Sequence, residues 1–240
     1  MAELDPDRIL ALSYIPARVR PAVEALWQLD AALGAVLTGG RDPLLSQIKL
    51  AWWRDALEQL DAGGRPPAEP VLEAIAAHVL PLGITGTELS GMELGWTLLL
   101  TPDPLTPDEL DRFAKARGGL LFRFSARLLG AESADVDAGG EAWALIDLAR
   151  HSGSEVDAEA AMAAAAARRW GTWPSPLRPL GMLAMLAARD AARGTSGWEI
   201  QGSPARMLRM LRVRLLGRYG RCQPPVFCAA TKPLTKHPRG

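Results

Sequence analysis

Apolar residues recur at three- and four-residue steps almost from end to end of the chain, and no Val/Ile/Thr-rich alternating run interrupts them. That spacing lines one side of a helix, so the pattern predicts an all-α protein. Pro21 suits a first turn, and the stripe Val23, Leu26, Trp27, Leu33, Leu37 carries a helix to Gly39-Gly40. A second helix is expected from Pro43 to Leu60 with the inward ridge Ile48, Trp52, Ala56, Leu60, widened by Trp53 and Leu57. Its outer face carries Lys49, Arg54, Asp55 and Glu58, and the Gly- and Pro-rich run from Asp61 to Pro67 stops it.

Further helices are predicted over about 69–80, 86–100 and 107–129. The last of these opens on Thr106-Pro107-Asp108-Glu109, with a capping Thr, a first-turn Pro and acids at the positive end of the dipole. Others follow over about 138–151, 157–169 (Ala-rich), 177–192 and 204–219. No internal repeat or composition break divides them, so residues 1–219 read as one domain and 220–240 as a disordered, basic, Pro-containing tail.

With 240 residues, 48% hydrophobic and 22% charged, the chain is neither disordered nor fibrous. No apolar run reaches the roughly 18–20 residues of a membrane span, and Met1–Leu10 is acidic and polar. Cytoplasmic is therefore the expected location, with a peripheral position on the inner face of a membrane left open. Charge adds an asymmetry: after Glu199 come nine basic residues and no acid, while residues 1–199 hold 18 basic against 27 acidic. Such an end meets an anionic partner, or is a solvated basic face folded on the acidic body.

No phosphate-binding glycine loop, HExxH, CxxC or GxSxG is present. The informative positions are polar residues on apolar faces. Asp30 lies on the stripe Leu26, Asp30, Leu33, Leu37, where a carboxylate is either ion-paired or faces a cavity and a Mg²⁺ ion. Arg117 shares the stripe Phe113, Leu121, Phe124, Leu128, beside Gly118-Gly119. It either pairs with Asp30 or holds a diphosphate, and the two glycines point to close approach by a helix or a ligand. Asp147 and His151 stand one turn apart, with Arg150 beside them and Glu155 four residues on. They bind a metal, relay protons or end a surface helix with ordinary ion pairs. The final helix has Leu208, Leu211, Leu215 and Leu216 on its apolar side and Arg206, Arg209, Arg212, Arg214 and Arg218 around it. It either lies on an anionic membrane or covers the core with arginine stems. Nucleic acid is not expected, because no aromatic residues interleave with this basic stretch.

Several blocks carry a resemblance. Ile48-Lys-Leu-Ala-Trp-Trp-Arg-Asp-Ala-Leu57 resembles the segment after the first aspartate motif of squalene and phytoene synthases. It is closest to the divergent branch that holds the mitochondrial complex I assembly factor and its bacterial relatives. Ala25–Asp30, Gly91-Met-Glu-Leu-Gly95, the helix from Ala116 to Phe124 and Trp143–Arg150 resemble further family blocks in the same order. The resemblance implies an isoprenoid-synthase-like bundle of helices around a central cavity. In active members two aspartate motifs hold Mg²⁺ ions there, and the ions bind two prenyl diphosphates that are joined head to head.

Here Leu33 and Gly34 stand where the first motif has its second acid, and Gly95 replaces another acid. His151 and Glu155 align with the acids of the second motif, Asp147 with its Asn and Arg150 with its Arg. The resemblance thus leaves Asp30, Asp147 and Glu155 as metal ligands, Arg117, Arg150 and His151 for the ligand's anionic end, and Trp27, Trp52 and Phe124 as cavity wall. It implies a degenerate member that needs no cofactor and binds a prenyl diphosphate or other lipid, or an accessory or assembly factor. Such a factor would meet a protein partner at an anionic membrane through Arg206, Arg209 and Arg212. The alternative is an active Mg²⁺-dependent prenyltransferase. A third reading has side chains such as Trp27 and Trp52 filling the cavity.

Overall fold

A computed structural model describes residues 3–39, 42–101, 104–195 and 197–217, and among them every regular element is helical. The expected disordered tail at 220–240 lies outside the described residues. The chain begins with a helix that apolar periodicity does not reveal, α1 (Pro6–Ser13). Its start signal is local: the Asp5 carboxylate accepts from the backbone N–H groups of Asp7 and Arg8, both at 3.0 Å, and Pro6 fills the first turn.

The next helix, α2 (Arg20–Gly39), buries Val23, Leu26, Trp27 and Leu33 of the expected stripe, and Leu29 besides. α3 (Pro43–Leu60) corrects the expectation for its ridge. It buries Leu50, Trp53, Leu57 and Leu60, while Ile48 and Trp52 face outward, Trp52 with 45% of its surface exposed. Both stripes are apolar at helical spacing, and only one of them can face the core. α4 (Pro70–His78) packs on α2.

The expected helix at 86–100 is two short helices, α5 (Gly86–Ser90) and α6 (Glu93–Thr97), followed by a 3₁₀ turn. Gly86 lets α5 lie against α3, since a Cβ there would stand 1.9 Å from the Leu57 carbonyl oxygen. α7 (Pro107–Ala114) begins with the predicted Thr106 cap, closed by Glu109 in a capping box. It runs through a π-helical turn, Lys115–Gly119, into α8 (Leu120–Leu128).

α9 (Asp135–His151) forms the centre of the bundle, packed by the π turn, α8, α10 (Glu155–Ala167) and α11 (Arg178–Arg193). Gly118 and Gly140 meet where the π turn crosses α9. A Cβ on Gly118 would stand 2.0 Å from the Gly140 carbonyl oxygen, and one on Gly140 would stand 2.2 Å from that of Gly118. Of the two partners anticipated for these glycines, the structure shows a helix.

The last helix, α12 (Pro204–Leu216), packs on α11 and α1, and it corrects the expected placing of Arg206 at a surface. Its buried side holds Met210, Val213 and the guanidinium-bearing Arg206. Leu208, Leu211, Leu215 and Leu216 point to solvent, with Leu208 69% and Leu215 66% exposed. The burial of Arg206 has a plain electrostatic cause. Arg206 Nε donates to Asp7 at 2.9 Å and its Nη1 to Asp190 at 2.8 Å, so two buried carboxylates draw the arginine inward.

Candidate functional site

The π turn is the local feature that builds the site. It widens the helix by one residue between Ala114 and Leu120, and its middle side chain, Arg117, is aimed into the bundle with 3% of it exposed. Two glycines make room for that side chain's surroundings. A Cβ on Gly95 would come within 3.1 Å of Arg117 Cβ, and one on Gly34 would meet the Trp96 ring at 2.8 Å. These are the positions at which the resemblance placed lost acids. Trp96 now lies over Gly34, and the Arg117 guanidinium sits 4.2 Å from the Trp96 ring centre and 4.9 Å from that of Trp143.

Between the two indoles Arg117 joins the acids of opposite walls. Its Nε donates to Asp30 Oδ1 at 2.9 Å and its Nη2 to Asp30 Oδ2 at 3.2 Å, while Nη2 also pairs with Asp147 Oδ2 at 2.7 Å. Arg8 Nη1 donates to Asp30 Oδ2 at 3.0 Å, and Arg8 Nε pairs with Asp5 at 2.5 Å. Asp147 Oδ1 lies 3.3 Å from His151 Nδ1, which also stands 2.8 Å from the Asp147 carbonyl oxygen. Asp30 is fully buried. Of the two partners anticipated for Asp30 and Arg117, the structure shows the ion pair.

Charge in this cluster is nearly closed. Asp5, Asp30 and Asp147 face Arg8, Arg117 and, when protonated, His151. Burial disfavours the Arg117 cation, but Asp30 and Asp147 outweigh it and hold the guanidinium protonated. Burial likewise opposes ionisation of Asp147, yet Arg117 and then His151 keep its carboxyl well below the usual carboxylate range. The hydrogen bond to Asp147 lifts the His151 ring above its ordinary 6.5, against partial burial.

A pocket of about 250 Å³ opens beside the cluster. Arg117, Asp147, His151 and Asp157 line it together with the apolar Leu37, Leu99 and Leu148. Its size suits a small apolar group or part of a lipid chain.

The other expected site residues lie elsewhere. Glu155 is exposed at the first turn of α10. Arg150 turns away from Arg117 to donate to Asp190 at 3.1 Å and to the Glu199 carbonyl at 3.0 Å, and it stacks on Trp198. Trp27 is buried in the core, its Nε1 donating to Ser125 at 3.1 Å, and Phe124 is buried as well. Trp52 is on the outside, and Arg206 belongs to the Asp7–Asp190 network rather than to a surface. Arg209 pairs with Glu199 at 2.6 Å, and Arg212 is exposed.

Arg8, Trp96 and Trp143 complete the cluster, and the sequence pattern did not single them out. Trp143 stands four residues before Asp147, so one face of α9 presents both, and that spacing was readable.

A Mg²⁺ cage needs several carboxylate oxygens free to converge on one ion. Here both Asp30 oxygens accept from guanidinium groups, both Asp147 oxygens face Arg117 or His151, and Glu155 is exposed at the first turn of α10. Among the described residues no group of three or more His, Cys, Asp or Glu side chains could hold a metal ion. The donor set does not fit the ion.

A family model described as squalene/phytoene synthase matches residues 1–167. No curated protein and no solved structure matches the chain. The matched span runs from α1 through α10 and takes in every member of the Asp30–Arg117–Asp147 cluster, so the chain belongs to the squalene/phytoene synthase family.

Proposed function

We propose that this protein is a member of the family that has lost synthase chemistry. In this reading it binds a prenyl or other lipid chain and serves as an accessory factor at a membrane surface. One observation carries the reading: the Arg117 guanidinium bridges Asp30 and Asp147 where active members would hold metal. Departure of a diphosphate requires strong positive charge at the leaving group. Arg117 supplies a single charge that two carboxylates already neutralise, so little is left to stabilise that departure. The same balance disfavours a highly charged head group and favours a lipid with a small or uncharged polar end in the 250 Å³ pocket. The basic run after Glu199 supports the membrane-surface part of the reading.

Thermal-shift titrations with farnesol and with farnesyl diphosphate, each with and without Mg²⁺, test this, with product analysis of the same mixtures. A ligand of the native state raises the midpoint by mass action. The expected result is a farnesol-dependent rise that Mg²⁺ does not change, with no hydrocarbon product. A Mg²⁺-dependent rise with farnesyl diphosphate and a new hydrocarbon would instead establish the head-to-head prenyltransferase. No rise with either compound would remove the ligand from the proposal.

A further inference from the structure

The face of α12 opposite its buried side is unusual for a surface helix. Leu208, Leu211 and Leu215 share it at three- and four-residue spacing, and Met207 and Leu216 flank it, all of them exposed. Ile200, four residues ahead of the helix, is 81% exposed. Isolated exposed leucines are ordinary, but a contiguous row on one helix face marks an interaction surface.

The row cannot be rotated inward. Arg206, on the opposite side, is fixed to Asp7 and Asp190, and Met210 and Val213 are buried beside it. From Ile200 onward the chain carries charge of one sign, and the acid just before it, Glu199, is neutralised by Arg193 and Arg209. Arg212 is exposed next to Leu208 and Leu211, and the chain beyond the helix adds Arg218, Arg221, Lys232, Lys236 and Arg239 with no acid. An apolar row bordered by cations matches the boundary between headgroups and acyl chains of an anionic bilayer. A second copy of this chain would bring two such basic ends together.

We infer that α12 is a membrane-docking helix that inserts Leu208, Leu211 and Leu215 into an anionic lipid surface while Arg212 contacts a phosphate headgroup. The inference rests on the membrane-surface part of the proposed function and is independent of the pocket. No helix of the described residues is long and apolar enough to cross a membrane.

Flotation of the full chain with equimolar phosphatidylcholine/phosphatidylglycerol vesicles, and with phosphatidylcholine vesicles alone, provides the test. Wild type is expected to float with the anionic vesicles and to be released by high salt. Arg212→Ala is expected to lower partitioning about fivefold. Leu208→Ala/Leu215→Ala is expected to lower it by about tenfold or more. These side chains are exposed, so both variants should keep the wild-type circular dichroism and melting temperature. If wild type floats and the double-leucine variant floats equally well, the membrane reading stands and the assignment to α12 fails. If wild type does not float at low salt, both fail. If sedimentation shows that wild type is dimeric and the leucine variant monomeric, a second copy covers the row and the inference is overturned.

Discussion

Arg117 grips Asp30 with two nitrogens, Nε at 2.9 Å and Nη2 at 3.2 Å, across 87 residues of chain. The pair ties α2 to the π turn, and through Asp147 to α9, so three elements depend on one guanidinium. Arg117→Met is therefore expected to cost about 3–5 kcal/mol, because it takes the shared cation from buried Asp30 and half-buried Asp147 and leaves them only Arg8 and His151. Chemical denaturation checks this, and adding Asp30→Asn to the same chain should recover part of the loss.

That vacated space leads to a second expectation. With the guanidinium gone, Asp30 and Asp147 face each other across a gap lined with oxygens. In Arg117→Ala, millimolar Mg²⁺ or Ca²⁺ should raise the melting temperature, whereas in wild type it should not. Equal responses in the two proteins would contradict the picture of an arginine standing in for metal.

The crossing of the π turn with α9 tolerates no side chain. Gly118→Ala would bring a Cβ to 2.0 Å from a backbone oxygen that cannot swing aside, and a loss of about 3 kcal/mol or more is expected. Gly39→Ala, where nothing lies within 4 Å, should change stability by no more than about 0.5 kcal/mol.

Protonation of His151 links stability to pH. Its folded pKa is raised by the Asp147 carboxylate, so the folded state binds the proton more tightly than the unfolded chain. The contribution is complete below the unfolded value, about 6.5, and disappears as pH rises through the folded value. The ring is 61% exposed, and solvent screening keeps the effect small. The melting temperature of wild type should fall slightly between about pH 6 and 8, and His151→Ala should remove that part of the slope.

Two tryptophans side by side on α3 should behave oppositely. Trp53→Ala opens a cavity in the core and is expected to cost about 3–5 kcal/mol. Trp52→Ala touches an exposed ring and should cost less than about 1 kcal/mol. Parallel urea melts would separate them, and similar losses would mean that Trp52 is covered in solution.

Helical class, most boundaries and the inward setting of Asp30 and Arg117 were readable from periodicity, because a charge on an apolar stripe is conspicuous. The Thr106 cap was readable because its geometry is local. What escaped were choices between faces. α3 and α12 each offer two plausible sides, and distant partners decide between them, such as the Asp7 and Asp190 carboxylates that draw Arg206 in. Arg8 escaped for the same reason, since its role depends on Asp30, 22 residues along the chain. The short α1 left no periodicity to read, although Asp5-Pro6 marks its start.

The Asp7–Arg206 contact joins residues 199 positions apart and ties the first helix to the last. The family match stops at residue 167, yet α11 packs along α9, and both α11 and α12 pack against α1. A truncated chain ending there would strip cover from α9 and strand Asp7 without its cation. Residues 168–217 are thus structural closure rather than appendage, and a protein cut back to the matched region is expected to be insoluble. A permuted chain that joins the two ends and opens in a surface loop would keep the clasp intact and should fold.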